Sequence, residues 1–289
     1  MNIRDAINSA AQRLAATHET ARLDAELLLA HVLGRPRTYL YAWPERELDA
    51  DSAAAFESLV ARRAGGEPVA YLLGGREFWS RALAVTPATL IPRPETERLV
   101  EAALERIPTD ATWQVADLGT GSGAIAIALA AERPACTLIA TDRSAAALAV
   151  ASSNAGRHVP GRVAFVCADW LAPFREGAFD LIAANPPYVA QGDPHLGLGD
   201  VRFEPVGALA AGPDGLDAIR RIAGQAPHCL RPGGWLLLEH GFDQAAAVAK
   251  VLDARGFLDI TCLRDAAGQP RVSLGRRPGC APGGAPGLA

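Results

Sequence analysis

The chain has 289 residues, 49% of them hydrophobic and 21% charged, and a formal net charge of −4. These are ordinary values for a water-soluble globular chain of one large or two modest domains. The acidic balance does not exclude nucleic acid, but it removes the generic electrostatic attraction that carries most DNA affinity.

No apolar run reaches membrane-spanning length, so no membrane association is expected. The N-terminus, Met1-Asn2-Ile3-Arg4-Asp5, lacks the basic-then-apolar order of a signal peptide. Cys136, Cys167, Cys229, Cys262 and Cys280 are odd in number and widely spaced, which supports neither a disulfide framework nor a zinc site. A reducing cytoplasm is the expected location, and a monomer the expected state.

Residues 1 to about 70 read as helices. Ile3, Ala6, Ile7, Ala10 and Leu14 recur at helical spacing. A second helix is predicted over Arg22 to Leu33, with Leu23, Leu27, Leu28 and Val32 on one side and Gly34 as its stop. A third is predicted from Asp51 to Ala64, ended by Gly65-Gly66. Residues 1–75 hold eight Arg, no Lys and ten Asp plus Glu, a net charge of −2, where a DNA-reading module is usually basic. From Glu67 to Thr89 the pattern changes, and Phe78, Trp79, Leu83 and Val85 among Gly74-Gly75 and Pro87 suggest a short β-hairpin. Pro94 then suits the first turn of a helix running to about Arg106, with Glu95 and Glu97 favourable to its dipole.

Strands and helices alternate from there, the pattern of a parallel doubly wound sheet. Strands are predicted over Trp113–Leu118, Thr137–Thr141, Val163–Cys167, Phe179–Ala184 and Trp235–Glu239, with closing strands over Leu258–Leu263 and Arg271–Leu274. Helices are predicted over Ala124–Ala131, Ser144–Asn154, Leu216–Ala226 and residues 245–254. The Gly/Pro/Asp-rich stretch Gln191–Gly215 is long for a plain connection and suggests a lid or substrate loop. From Arg276 the chain is rich in Gly, Pro and Ala, and disorder is expected.

Two stretches carry chemistry. In Asn185-Pro186-Pro187-Tyr188, two prolines without backbone donors force the chain out of the sheet at a strand's C-terminal end, where ligands bind in open α/β folds. A planar NH2 group keeps its lone pair in the π system. Acceptors on its two N–H groups push density back onto nitrogen; the Asn185 side-chain oxygen and the Pro186 carbonyl suit that task, and the Tyr188 ring suits stacking. This points to methyl transfer onto an amide or exocyclic amine.

The second stretch, Asp117-Leu118-Gly119-Thr120-Gly121-Ser122-Gly123, lies between a strand and a helix. A dinucleotide site prefers Gly-x-Gly-x-x-Gly with pyrophosphate on the helix N-terminus. The spacing here suits a ligand with an ammonium and a carboxylate instead, as in S-adenosylmethionine. Asp142 ends the next strand, where a carboxylate can grip ribose hydroxyls, and Asp169-Trp170 follows the one after, where it can bracket adenine. Glu239-His240-Gly241 reads as structural support more than as a cleft group. His31, His158, His195 and His228 are isolated, and no nucleophile elbow or metal set appears.

At these residues the chain resembles the bacterial peptide chain release factor glutamine methyltransferases over nearly its whole length. The resemblance rests on Arg22-Leu23-Asp24-Ala25-Glu26-Leu27-Leu28-Leu29, Gly66-Glu67-Pro68-Val69-Ala70-Tyr71, Glu77-Phe78, Phe203-Glu204-Pro205, Gly212-Pro213-Asp214-Gly215-Leu216 and, most specifically, Leu90-Ile91-Pro92-Arg93-Pro94-Glu95-Thr96-Glu97. It implies an α/β fold: a Rossmann-like, seven-stranded methyltransferase domain over residues 93–275, behind a helical domain over 1–72 and a hairpin linker over 73–92, with a tail at 276–289. It implies that Gly119, Thr120, Gly121, Ser122, Gly123, Asp142, Trp170 and Asn185 hold S-adenosylmethionine, and that Asn185, Pro186, Pro187 and Tyr188 hold the substrate glutamine. The helical domain would help dock a class I release factor, with no direct nucleic-acid contact. Rival readings are an enzyme acting on a glutamine of a ribosomal protein, an adenine-N6 methyltransferase, which shares Asn-Pro-Pro-Tyr, and a binding module without activity.

Overall fold

The structure, a computed structural model, describes residues 1–16 and 18–279. Helix α1 (Ile3–Leu14) begins at Asn2, whose side chain accepts the Asp5 N–H and satisfies one of the unpaired donors of the first turn. Its buried residues are the five expected from spacing. Helix α2 (Ala21–Leu33) ends on Gly34 at φ 58°, a left-handed conformation that costs glycine little.

The buried face of α2 is only partly the expected one: Leu28 is buried and Val32 packs against the bundle core, but Leu23 does not. Leu23 is 39% exposed, whereas Ala25, Leu28 and Leu29 are fully buried. Its polar residues, Arg22, Asp24, Glu26 and His31, are spread around the helix, so spacing alone does not choose a face. Ion pairs choose it: Asp24 and Glu26 are buried, held by Arg63 at 2.8 Å and Arg37 at 2.5 Å. The short helix α3 (Arg37–Ala42) supplies Arg37, and α4 (Ala50–Ala64) supplies Arg63 together with Phe56 and Val60 of the bundle core. Helix α5 (Val69–Leu73) closes the bundle with Leu72. α3 and α5 were not expected, because fewer than two turns cannot display a helical period.

A hairpin of β1 (Gly75–Phe78) and β2 (Arg81–Ala84) follows, then a 3₁₀ turn at Pro94–Thr96 that runs into α6 (Glu97–Leu104). The main sheet contains β3 (Gln114–Leu118), β4 (Thr137–Asp142), β5 (Val163–Cys167), β6 (Phe179–Ala184), β7 (Leu230–Glu239), β8 (Leu258–Arg264) and β9 (Pro270–Arg276), in the order β5-β4-β3-β6-β7-β9-β8. The expected parallel arrangement holds for the first five of that order. β9 runs antiparallel to β7 and β8, because the short turn between β8 and β9 cannot make a parallel crossover. β7 begins at Leu230, earlier than expected. Its Gly233-Gly234 pair sits in a bulge, seen as a register shift between Phe179 and Leu181 of β6, rather than before the strand. β9 extends to Arg276, the first residue of the expected tail. Residues 280–289 of that tail lie outside the described residues.

Helices α7 (Ala124–Glu132), α8 (Ala145–His158), α9 (Asp217–Cys229) and α10 (Ala245–Asp253) cover the sheet. Alternate strand residues feed two cores. Val115, Leu181 and Leu237 pack with α6 and α7, whereas Ala116, Ile182 and Leu236 pack with α9 and α10. Both faces are buried, as parallel strands flanked by helices require. α8 runs past Asn154, where it was expected to stop. Asn154 is fully buried; its amide accepts the Ala84 N–H and donates to the carbonyls of Ala84 and Ser122, fastening the hairpin to the loop after β3. Among the described residues, no helix is long and apolar enough to cross a membrane.

The chain leaves β3 toward β4 and β5, then returns to β6 on the other side of β3. Leu118 and Ala184 are register partners at the ends of those two strands. This reversal opens a crevice at their C-terminal ends, the usual ligand position in such sheets.

The buried ion pair in the bundle makes a first prediction. Arg63→Met leaves Asp24 buried without its counter-charge, so a loss of about 3 kcal/mol is expected in urea denaturation. A midpoint unchanged from wild type would contradict the role given to this pair.

Candidate active site

The loop after β3 turns on Gly119, Gly121 and Gly123, all at positive φ. At Gly119 a Cβ would meet the Trp170 indole at 3.1 Å, whereas at Gly121 no heavy atom lies within 4 Å of that position. The Gly121 N–H donates to Asp142 Oδ2 at 3.0 Å, and the Ser144 N–H donates to Asp142 Oδ1 at 2.8 Å. Asp142 is thereby fixed at the end of β4, and each of its oxygens keeps a lone pair for a ligand.

Beneath the loop Asp117 is fully buried. Its Oδ2 accepts from the Thr120 hydroxyl at 2.6 Å and the Ala126 N–H at 3.1 Å, while Oδ1 has no partner. Burial pushes its carboxyl up to about 7, helped by the Asp142 charge and opposed by those two donors.

A cavity of about 400 Å³ opens over this loop, lined among others by Gly119, Gly121, Asp142, Trp170, Asn185 and Pro187. Thr120, Ser122 and Gly123, expected to touch a ligand, do not line it. Thr120 and Ser122 are buried, and they hold Asp117 and Asn154 respectively. Gly123 lies against Ile127 and Ala151, where a Cβ would clash at 3.0–3.3 Å. These three shape the loop from behind. Asp169 sits on the rim, paired with Arg221.

A second cavity of about 180 Å³ adjoins the first and is lined by Arg93, Asn185, Pro186, Tyr188, His195 and Leu196, with others. Asn185 lines both cavities. Its Nδ2 donates to Thr96 Oγ1 at 3.1 Å. That bond leaves its Oδ1 as the acceptor offered to the cleft. Thr96 belongs to the Pro94–Thr96 turn; sequence reading flagged the surrounding motif but assigned Thr96 no contact.

The Gln191–Gly215 stretch becomes a flap of 3₁₀ turns at Pro194–Gly197, Gly199–Phe203 and Val206–Ala208. Its ends are tied by the bonds of Val189 N–H to the Leu209 carbonyl and of Ala211 N–H to the Val189 carbonyl, both 2.9 Å. Glu204 is buried at its centre, accepts the Ile91 N–H at 3.0 Å and pairs with Arg93. Burial pushes the Glu204 carboxyl up, against the pull of Arg93. On the bundle side Asp200 meets Arg63 at 2.5 Å, and Arg202 donates to the Gly65 carbonyl at 2.5 Å. The contacts of Asp200, Arg202 and Glu204 were not legible in the sequence, since they join residues more than a hundred positions apart.

The family description "PrmC N-terminal domain" matches residues 5–74, and "Methyltransferase small domain" matches residues 98–201. A release factor glutamine methyltransferase of Xylella fastidiosa is 51% identical over 265 residues, covering 92% of this chain and 96% of that protein. One from Vibrio cholerae is 47% identical over 278 residues, covering 96% and 97%. Among solved structures, a T. Thermophilus 16S rRNA methyltransferase in complex with AdoMet and guanosine has a TM-score of 0.54 at 20% identity. It covers 70% of this chain and 49% of that one, and shares the fold.

The Asn-Pro-Pro-Tyr turn rests on Gly215. A Cβ there would lie 2.2 Å from the Tyr188 carbonyl oxygen, at a backbone φ of 75°. Gly215→Ala is therefore expected to cost about 1–3 kcal/mol in backbone strain alone and to lower the thermal midpoint. A midpoint within a degree of wild type would show that the turn does not depend on this contact.

Proposed function

The chain belongs to the release factor glutamine methyltransferase family, and from that premise we propose that it moves a methyl group from S-adenosylmethionine to the side-chain amide nitrogen of the glutamine in the Gly-Gly-Gln loop of a class I peptide chain release factor. The observation that carries this is Asn185. It stands where the two cavities meet, its amide nitrogen tied back to Thr96 at 3.1 Å and its oxygen free for an N–H donor.

The larger cavity fits the cofactor. Gly121 leaves open space beside its Cα, Asp142 has lone pairs for ribose hydroxyls, and Trp170 and Pro187 give flat walls for adenine. When bound, S-adenosylmethionine supplies an electrophilic methyl group on a sulfonium. The protein's part is alignment and electrostatics. Asn185 Oδ1 and the Pro186 carbonyl accept the two amide N–H groups of the glutamine, and the Tyr188 ring covers its plane. Positive charge develops on the nitrogen during transfer, so these acceptors bind more strongly as the bond forms. No base is needed beforehand: the S–CH3 bond would break as N–CH3 forms, leaving a neutral thioether, and the amide proton, acidic only then, would pass to water.

In this reading the enzyme acts as a monomer in the cytoplasm, the helical bundle docks the release factor, and nucleic acid is not a substrate. With labelled S-adenosylmethionine, label is expected in the release factor, absent when its loop glutamine is changed, and absent from DNA. Label in a ribosomal protein or in DNA adenine would replace this reading with one of its rivals.

Asp142→Ala and Asn185→Ala separate the two cavities. Asp142→Ala removes charged hydrogen bonds worth about 1.5–3 kcal/mol each, so calorimetry is expected to show S-adenosylmethionine bound about 10- to 100-fold more weakly. Asn185→Ala should lower turnover about 10²–10³-fold while changing cofactor affinity less. Turnover within a few-fold of wild type would remove Asn185 from the substrate site.

A further inference from the structure

Glu239 is the last residue of β7. Leu238 pairs in register with Ala184, so Glu239 lies beside the start of the Asn-Pro-Pro-Tyr turn. Its side chain is fully buried, and neither carboxylate oxygen has a hydrogen-bond partner. Buried polar groups are nearly always paired, so an unpaired carboxylate under a reaction site requires a reason. The surrounding ionisable and hydroxyl groups are Thr96 and Glu95 from the 3₁₀ turn, Arg271 from β9, and Tyr188. Burial pushes the Glu239 carboxyl up to about 7; Thr96, Arg271 and Tyr188 pull it down, and Glu95 pushes it further up. The two hydroxyls are thus near enough to be felt, yet neither meets hydrogen-bond geometry, as is common for catalytic networks before substrate binds.

Donor and acceptor rules make this arrangement directional. An ionised carboxylate only accepts. If it takes the Thr96 hydroxyl proton, the Thr96 oxygen is left as an acceptor, and it accepts from Asn185 Nδ2. Asn185 Oδ1 must then face the cleft. If the group below Thr96 were a donor, Thr96 could donate to Asn185 Oδ1 instead. The amide would turn over and present NH2 to the substrate's NH2, donor against donor.

We propose that Glu239 is a positioning residue that sets the direction of the Thr96 hydroxyl and so holds the Asn185 oxygen toward the substrate amide. Once substrate is bound, the Tyr188 hydroxyl becomes its second donor and fixes the ring that covers that amide. Glu239 touches neither substrate nor cofactor. The inference rests on the substrate role given above to the Asn-Pro-Pro-Tyr turn.

The test compares Glu239→Gln, Thr96→Val, Thr96→Ser and the double variant Glu239→Gln/Thr96→Val in the full chain. Glu239→Gln keeps shape but introduces a donor; Thr96→Val keeps shape but loses the hydroxyl. Each should lower kcat about 10- to 100-fold, in the range for losing one oriented group, with KM and S-adenosylmethionine affinity within about threefold. Thr96→Ser should recover most of the activity. The double variant should fall no further than either single one, since both break one relay.

Two further readouts separate orientation from folding. Wild-type kcat should rise with pH through about 7 as Glu239 ionises. The Asp117 carboxyl is also raised to about 7, so assigning the limb to Glu239 requires its disappearance in Glu239→Gln. For stability, the folded-state pKa of Glu239 lies above its ordinary 4.5. The folded protein therefore binds more protons than the unfolded chain between about 4.5 and 7, and Glu239 reduces stability as pH rises through that window. At pH 8 Glu239→Gln removes a buried charge and should melt at or above the wild-type temperature while remaining slow. A lower midpoint with parallel loss of cofactor affinity, additive losses in the double variant, or wild-type turnover by Glu239→Gln would overturn the inference. Failure of the wild-type enzyme to label the glutamine would instead overturn the reading on which it rests.

Discussion

Everything in the catalytic half depends on the pairing of β3 with β6. Leu118 and Ala184 lie side by side at the ends of these strands, so the residues that follow them, Gly119 and Asn185, leave the sheet as neighbours. One chain exit is flexible and the other stiff. Glycines let the first curl back toward β4, where the Asp142 carboxylate catches it. Prolines force the second outward without a backbone donor to spare. The larger cavity is the space left between a loop that can turn tightly and a turn that cannot bend.

Charge buried away from water organises the remainder. Arg63 joins α2 to the flap by holding Asp24 and Asp200 together, and Glu204 joins the flap to the Ile91–Arg93 segment. The flap over the smaller cavity is thus tethered both to the bundle and to the turn that carries Thr96. Removing Arg63 or Arg93 leaves the buried Asp24 or Glu204 uncompensated in a low-dielectric interior. The two halves of the chain are therefore coupled through electrostatics at the flap beside the smaller cavity.

Asp117 and Glu239 repeat one arrangement at the two cavities. Each is a fully buried acid at or near a strand's C-terminal end, each has an unpartnered oxygen, and burial raises each carboxyl to about 7. Asp117 braces the glycine loop through Thr120; Glu239 lies under Thr96 and Tyr188. Burial is the first cause of both shifts, and perturbed acids of this kind cluster at functional sites, although structural networks also produce them.

The sequence by itself determined the helices of the bundle that are long enough to show a period, the alternation of strands and helices, the glycine loop, Asp142 and the proline turn. Each of these is a local property, set by side-chain spacing or by the backbone freedom of a few adjacent residues. Only the tertiary structure decided which face of α2 is buried, that β9 runs antiparallel, and that Thr120, Ser122 and Gly123 stand behind the cavity rather than in it. It also set Thr96 against Asn185, Glu204 against Ile91 and Arg93, and Glu239 beside the end of β6. These depend on ion pairs and hydrogen bonds between residues far apart in the chain, and local spacing carries no record of which distant partner a buried charge will meet.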